Sequence, residues 1–172
     1  MKKLLFLLLF SATLVAQTPE APALEFVCSL KVTLDKPLVV GETNHGTRRI
    51  IPITGGTFEG PTMKGEVLNG GADWQVISSD KSKTELEALY QIKTDDGVVI
   101  FIRNTGLRVA SAEVTQRLAK GETVGANEYY FRAAPKFEAP RNTKYAWLND
   151  AIFVCKGIRM PDYVLLQVWK VL

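Results

Sequence analysis

The amino-acid sequence predicts a mainly β protein, a single antiparallel β-barrel with one short helix, preceded by an N-terminal signal peptide. Two observations predict the barrel. Apolar residues alternate with polar ones along many short stretches of the 172-residue chain, and turns rich in glycine and proline separate those stretches. Many short strands with one helix are typical of an antiparallel barrel or a sandwich. A closed barrel is preferred because it leaves no exposed strand edge.

The first residues carry the features of an export signal. Two lysines follow Met1, an unbroken apolar run covers residues 4–10, and small residues lead to Ala16 and Gln17. This order predicts a signal peptide over residues 1–17, cleaved near Ala16 or Gln17. The apolar stretch, about 13 residues, is shorter than the roughly 20 that a spanning helix needs, so no membrane span is expected after processing. We therefore expect a secreted or periplasmic protein.

After the signal, residues 18–23 form a short proline-rich leader that is expected to be disordered, and residues 24–172 form one domain. Leu24 to Leu34 alternates with period two, as a half-buried strand does. The turn 95–97 joins two further strands as a hairpin. The predicted strands are 24–34, 48–53, 63–68, 74–78, 86–92, 98–102, 129–132, 151–156 and 163–172.

One helix is predicted over residues 111–120. Ser111 can cap its start, Val114 and Leu118 share one face, and Gly121 stands where a C-terminal cap belongs. The chain after the leader contains no linker, internal repeat or low-complexity tract, which supports a single domain.

Composition and charge argue against several classes of function. The chain has 21 basic and 18 acidic residues, and loss of the two signal lysines leaves a net charge of about +1. No basic surface for nucleic acid or an anionic membrane is therefore expected. His45 is the only histidine, no cysteine or carboxylate cluster has metal-ligand spacing, and the glycine-rich phosphate motifs are absent. Neither a metal nor another cofactor is expected.

Glu59 and Asp73 are the candidate catalytic residues. Glu59 lies in a glycine-rich turn, and Asp73 follows the turn 69–72. A carboxylate at a barrel mouth with apolar walls would have a raised pKa and could act as a general acid or base. The alternatives are a turn glutamate paired with an arginine and an aspartate that caps its turn.

Arginines and aromatic residues supply the candidate ligand contacts. A guanidinium can hold a carboxylate or an enolate, although it pairs more often with a nearby acidic side chain. Aromatic side chains can wall a pocket for a flat molecule, although the same pattern also packs cores. The candidates are Arg48, Trp74, Arg103, Arg132, Tyr145, Trp147 and Asn149.

Cys28 and Cys155 are the only cysteines. An even count in an exported protein suits one disulfide, which would close a long loop. If another strand lies between theirs, the backbones are nearly 10 Å apart, too far for a bridge. The alternative is two buried thiols that pack as small apolar groups.

Several short sequence motifs, taken in their order along the chain, resemble those of the domain of unknown function 3237 family. They occupy residues 40–41, 44–49, 52–61, 65–74, 94–97, 130–132, 137–138 and 145–149, and the resemblance covers 26–171. It implies a small antiparallel barrel of the allene oxide cyclase/dirigent-like or calycin-like kind. Some fungal relatives are associated with cyclisation steps in natural-product pathways. The resemblance implies no general activity and supplies no agreed catalytic residues.

Three functions remain open at this point. The first is an exported barrel that binds a small apolar or aromatic molecule. The second is a cofactor-independent cyclase or isomerase in which Glu59 or Asp73 moves a proton and an arginine stabilises an oxyanion. The third is an envelope structural or interaction protein, which would have a filled barrel and an apolar outer patch. The oligomeric state is not predicted.

Overall fold

A computed structural model describes residues 19–172 of the chain, and the predicted signal peptide, 1–17, lies outside them. The described residues form ten strands, one α-helix and one 3₁₀-helix. The strands are β1 (Leu24–Leu34), β2 (Leu38–Thr43), β3 (Gly46–Glu59), β4 (Lys64–Val67), β5 (Gly71–Ile77), β6 (Lys83–Thr94), β7 (Val99–Val109), β8 (Tyr130–Glu138), β9 (Phe153–Arg159) and β10 (Tyr163–Val171). Helix α1 covers Ala112–Ala119, and the 3₁₀-helix covers Ala146–Asp150.

The strands close into an antiparallel barrel with eight strand positions. Around the barrel, β1 is followed by β10, β9, β8, β7 and β6, and β3 returns to β1. Strands β4 and β5 share the position between β6 and β3, while β1 and β2 pair with successive parts of β3. This closure confirms the predicted barrel and excludes the sandwich.

The double role of β3 depends on a sharp bend at Gly55 and Gly56. Both residues have a positive φ, +141° and +132°, which side-chain-bearing residues rarely adopt. A Cβ on Gly56 would lie 1.9 Å from the carbonyl oxygen of Lys31. Glycine at this position therefore lets β3 bend and approach β1 closely, so that its two halves pair with different strands.

The two ends of the barrel differ. At the end where β8 leads to β9, the 3₁₀-helix covers the interior, and its Leu148 is almost completely buried. At the other end α1 follows β7, with Ser111 as its predicted N-cap, and Val114 and Leu118 of its predicted apolar face are buried. The apolar core fills the interior near the closed end. It includes Leu30, Ile92, Ile100, Ile102, Phe137, Phe153 and Val168.

The disulfide considered from the sequence is absent from the structure. Cys28 and Cys155 are both free and buried, and each pairs with Val168 of β10 from opposite sides. One intervening strand therefore separates the two thiols, which is the geometry that prevents a bridge. Burial raises the pKa of each thiol to about 12, so both pack as neutral apolar groups.

Candidate functional site

The barrel contains a cavity with two chambers. The outer chamber, about 780 Å³, lies at the α1 end between the helix and the strand ends. The inner chamber, about 50 Å³, lies among residues of the barrel interior. Leu34, Ile51, Arg108 and Arg159 line both chambers and form the neck between them. The outer chamber has the volume of a typical small-molecule site.

Strand β5 supplies two of the polar side chains of the inner chamber. Successive side chains of a strand point to opposite faces, so Asp73 and Gln75 share the inner face and Trp74 does not. Both inner residues line the inner chamber, and Gln75 is 3% exposed. Asn104 of β7 also lines this chamber, and its buried Oδ1 has no hydrogen-bond partner among the described residues.

A chain of hydrogen bonds fixes one oxygen of Asp73 and leaves the other free. Arg49 Nε donates to Gln75 Oε1 at 2.7 Å, and Gln75 Nε2 donates to Asp73 Oδ2 at 2.5 Å. Asp73 Oδ1 is inaccessible to solvent and has no hydrogen-bond partner within residues 19–172. A buried carboxyl oxygen without a partner is costly, so this atom is the one placed to exchange a proton with a ligand.

Burial raises the pKa of Asp73 above its ordinary value. The hydrogen bond from Gln75, the backbone N–H of Glu87 and the positive charges of Arg108 and Arg49 act in the opposite direction, but burial has the larger effect. The carboxyl group is therefore easier to protonate than an exposed aspartate, as a general acid requires.

Three guanidinium groups line the outer chamber. Arg108 is 6% exposed, and its Nη2 donates to Thr84 Oγ1 at 3.3 Å. Burial lowers the pKa of Arg108 to about 10, and the nearby charges of Arg49 and Arg159 add to the effect. In Arg159, by contrast, both terminal nitrogens donate to backbone carbonyls, including that of Tyr163 at 3.0 Å. Burial lowers the pKa values of Arg49 and Arg159 as well.

The structure separates the two predicted carboxylates. Asp73 lies inside the barrel, whereas Glu59 is exposed at the end of β3. In the strand register, Glu59 is opposite Ser29 of β1 and Lys64 of β4, at the closed end of the barrel. The β3 partner of Asp73 is Ile51, and the eight residues from there to Glu59 span roughly 25 Å of strand. Glu59 lines neither chamber, which corrects its selection as a candidate catalytic residue.

The three predicted arginines also lie outside the cavity lining. Arg103 points outward and forms an ion pair with Glu87 at 2.6 Å, and Arg132 lies over the ring of Tyr130 at 5.2 Å. Arg48 precedes Arg49 on β3 and lines neither chamber. The reason is strand alternation, because the neighbouring residues Arg49 and Asn104 are the ones that face inward.

The predicted aromatic wall serves the fold instead. Tyr145 donates its hydroxyl to Asp96 Oδ1 at 2.9 Å, and Trp147 packs against Phe153 with ring centroids 6.0 Å apart. The Asn149 amide bonds both the N–H and the carbonyl of Ala139. These residues hold the 3₁₀-helix over the closed end, and Trp74 lines neither chamber.

Sequence reasoning missed several lining residues, namely Arg49, Gln75, Asn104, Arg108 and Arg159. A signal for one of them was present. Once Asp73 is placed inside β5, alternation puts Gln75 on the same face. Asn104 and Arg108, four residues apart on β7, share a face with each other, but which face is inward could not be read from the sequence. For Arg49 and Arg159 the register of β3 and β9 had to be known.

Among residues 19–172 there is no group of histidine, cysteine, aspartate and glutamate side chains that could hold a metal ion. The described part of the chain also contains no helix long and apolar enough to cross a membrane.

Comparison with known proteins places the chain in a family. A UPF0311 protein of Clostridium acetobutylicum is 42% identical over 148 residues, which are 86% of this chain and 92% of that protein. A conserved protein of unknown function from Rhodopseudomonas palustris has a crystal structure with a TM-score of 0.84 and 36% identity, covering 91% of this chain and all of the other. A Penicillium herquei protein named a hydroalkoxylation enzyme is 28% identical over 93 residues, 54% of this chain and 61% of that one. The family model described as a protein of unknown function, DUF3237, matches residues 22–171, and the chain belongs to this family.

Proposed function

We propose that the protein is a cofactor-independent acid–base catalyst that cyclises or isomerises a small unsaturated molecule in the barrel cavity. The observation that carries the proposal is Asp73, which lines the inner chamber and whose buried Oδ1 has no hydrogen-bond partner among residues 19–172. Its raised pKa favours the protonated form that an acid catalyst needs.

The proposed reaction requires only proton transfers. Protonated Asp73 gives its proton to one carbon of a substrate double bond, while a substrate hydroxyl adds to the other carbon. The resulting carboxylate then takes the hydroxyl proton. One C–H and one C–O bond form, one O–H bond and one C=C π bond break, and the composition of the substrate is unchanged. No redox partner is therefore involved.

The partial similarity to the hydroalkoxylation enzyme supports this class of reaction, since addition of an alcohol O–H across a C=C double bond is what that name describes. The Arg108 and Arg49 guanidinium groups beside the carboxyl would stabilise negative charge on a substrate oxygen.

A binding function without turnover is the second candidate. It is favoured by the outer chamber, because a volume of about 780 Å³ can hold a whole small molecule and not only the atoms that react at one carboxyl group. The ligand would be a small apolar or aromatic molecule. Turnover is the measurement that separates this candidate from the enzyme.

The catalytic proposal is tested with 2-prenylphenol, whose phenol can add across its alkene, followed by NMR in D₂O. The wild type should accelerate ring closure and place deuterium on the protonated carbon. Asp73→Asn should reduce the rate about 100-fold or more, the usual contribution of a general acid. Glu59→Gln, which changes an exposed carboxylate at the closed end, should react like the wild type. Binding of the probe without ring closure would support the carrier instead, and an undiminished rate in Asp73→Asn would refute the assignment.

We also propose that the chain is exported and loses its first 16 or 17 residues. The support is the order of charged, apolar and small residues at the N-terminus. N-terminal sequencing of protein recovered from the envelope or the medium should start after Ala16 or Gln17. An intact Met1 in that material would contradict the proposal.

A further inference from the structure

Arg108 is a buried cation with most of its hydrogen-bonding capacity unused. It lies at the neck, lines both chambers and is 6% exposed. A guanidinium has five N–H donors, and within residues 19–172 only one bond is formed, the 3.3 Å contact from Nη2 to Thr84 Oγ1. No described carboxylate lies within ion-pairing distance of it. Such a group is expensive to bury unless a partner completes it.

The other two guanidinium groups of the cavity are more fully engaged. Arg159 donates from both terminal nitrogens to three backbone carbonyls, those of Met160, Pro161 and Tyr163. Arg49 donates from Nε to Gln75, which leaves its terminal nitrogens unused by the described residues. Arg108 is therefore the main open donor of the neck, and Arg49, which lines the outer chamber only, is the second open donor of the cavity.

The charges of the cavity are unevenly distributed. Its acidic side chains at the outer rim, Asp35, Glu113 and Asp162, are exposed to solvent, and the exposed Lys36 and Lys81 accompany them. In the interior, three guanidinium groups face a single carboxyl group, Asp73. An anion that reaches the neck thus enters a region with excess positive charge.

We propose that the ligand of this cavity is an organic monocarboxylate and that Arg108 anchors its carboxylate at the neck. A guanidinium matches the planar carboxylate with two parallel hydrogen bonds, which favours this group over other anions. The proposal names the ligand class of the site assigned above and so rests on that site. It concerns binding alone and does not require turnover.

The two chambers indicate how such a ligand lies. The carboxylate end is expected at the neck beside Arg108, and the inner chamber, about 50 Å³, has room for only a few further ligand atoms next to Asp73. The 780 Å³ outer chamber can hold an apolar body, against walls that include Ile51, Ile77, Leu118 and Pro161. The ligand is therefore expected to have one charged end and a wide apolar portion.

The test is calorimetric titration of the wild-type protein with trans-cinnamate and with cinnamamide, which has the same apolar body without the charge. Cinnamate should bind at least about tenfold more tightly than cinnamamide, because the amide cannot form the charge-assisted pair with the guanidinium. Arg108→Gln should lose this preference and retain the amide affinity. Arg103→Gln, on the same strand but facing solvent, should bind both as the wild type does.

Equal affinity for the two probes, or cinnamate affinity unchanged in Arg108→Gln, would overturn the proposal. Competition with other anions is a further check. If inorganic phosphate displaces cinnamate as effectively as another carboxylate does, the site accepts any anion, and the proposal of a carboxylate site is overturned. The comparison of the two probes on the wild type decides the matter even if Arg108→Gln does not fold. Asp73→Asn should bind cinnamate at least as tightly as the wild type. Loss of turnover in this variant therefore tests the catalytic proposal, whereas loss of cinnamate binding in Arg108→Gln tests the carboxylate site.

Discussion

Asp73→Asn is expected to be more stable than the wild type at neutral pH, with an advantage that disappears near pH 4. Burial raises the pKa of Asp73 in the folded protein above its unfolded value of about 3.9. Between these two values the folded state holds a proton that the unfolded state has released. The free energy of unfolding therefore falls by about 1.4 kcal/mol per pH unit as the pH rises through this window. Above the folded pKa the loss is complete and constant.

Urea unfolding of both proteins from pH 3 to pH 8 measures this effect, because all other titrating groups cancel in the difference. Asp96→Asn is a control of opposite sign. The hydrogen bonds from Thr94, Lys144 and Tyr145 lower the pKa of Asp96, so its contribution is present above the unfolded pKa and is lost as the pH falls. Parallel stability curves for the wild type and Asp73→Asn would show that the carboxyl is not held in the protonated form.

Arg108→Met is expected to stabilise the ligand-free protein by about 1–4 kcal/mol, the gain seen when buried ionic groups are replaced by apolar ones of similar size. The variant removes a 6% exposed guanidinium whose single described hydrogen bond is long, at 3.3 Å. The Thr84 hydroxyl would lose its partner, which offsets part of the gain. The same variant should lose cinnamate binding, so stability and function would change in opposite directions.

Thermal and urea unfolding check this result, with Arg103→Met as the matched control on the same strand. Arg103 is exposed and paired with Glu87, so its loss should lower stability by less than about 1 kcal/mol. If Arg108→Met is instead destabilised by several kcal/mol, the guanidinium holds β6 and β7 together, and its role is structural.

Much of the fold could be predicted because the physical signal is local. Alternation along residues 24–34 and the turn at 95–97 are complete within a few residues, and so is the capped helix that starts after Ser111. Strand β2 was missed. Its Leu38, Val39 and Val40 are consecutive apolar residues that are all largely exposed, so they lack the alternation of a half-buried strand. The bounds of β3 were also too short, because its bend at Gly55 resembles a turn.

The candidate site shows where local information ends. Asp73 was selected by its chemistry, and the structure places it in the inner chamber. Arg48 and Arg103 were selected on the same grounds but face away from the cavity, since a shift of one residue moves a strand side chain to the other face. Glu59 was selected from its glycine-rich neighbours, which in fact bend β3 toward β1.

The sequence by itself determined the class of fold and the family, because composition, periodicity and ordered motifs are properties of the chain, and it selected Asp73, which lines the inner chamber. Only the tertiary structure decided which side chains share the cavity. That depends on strand register around a closed barrel, where Arg49, Asp73 and Arg108 from three separate strands meet. It also decided the state of the cysteines, because β10 lies between Cys28 and Cys155 and keeps the two thiols apart. Pairing between distant strands is fixed by the packing of the whole barrel, and no local pattern records it.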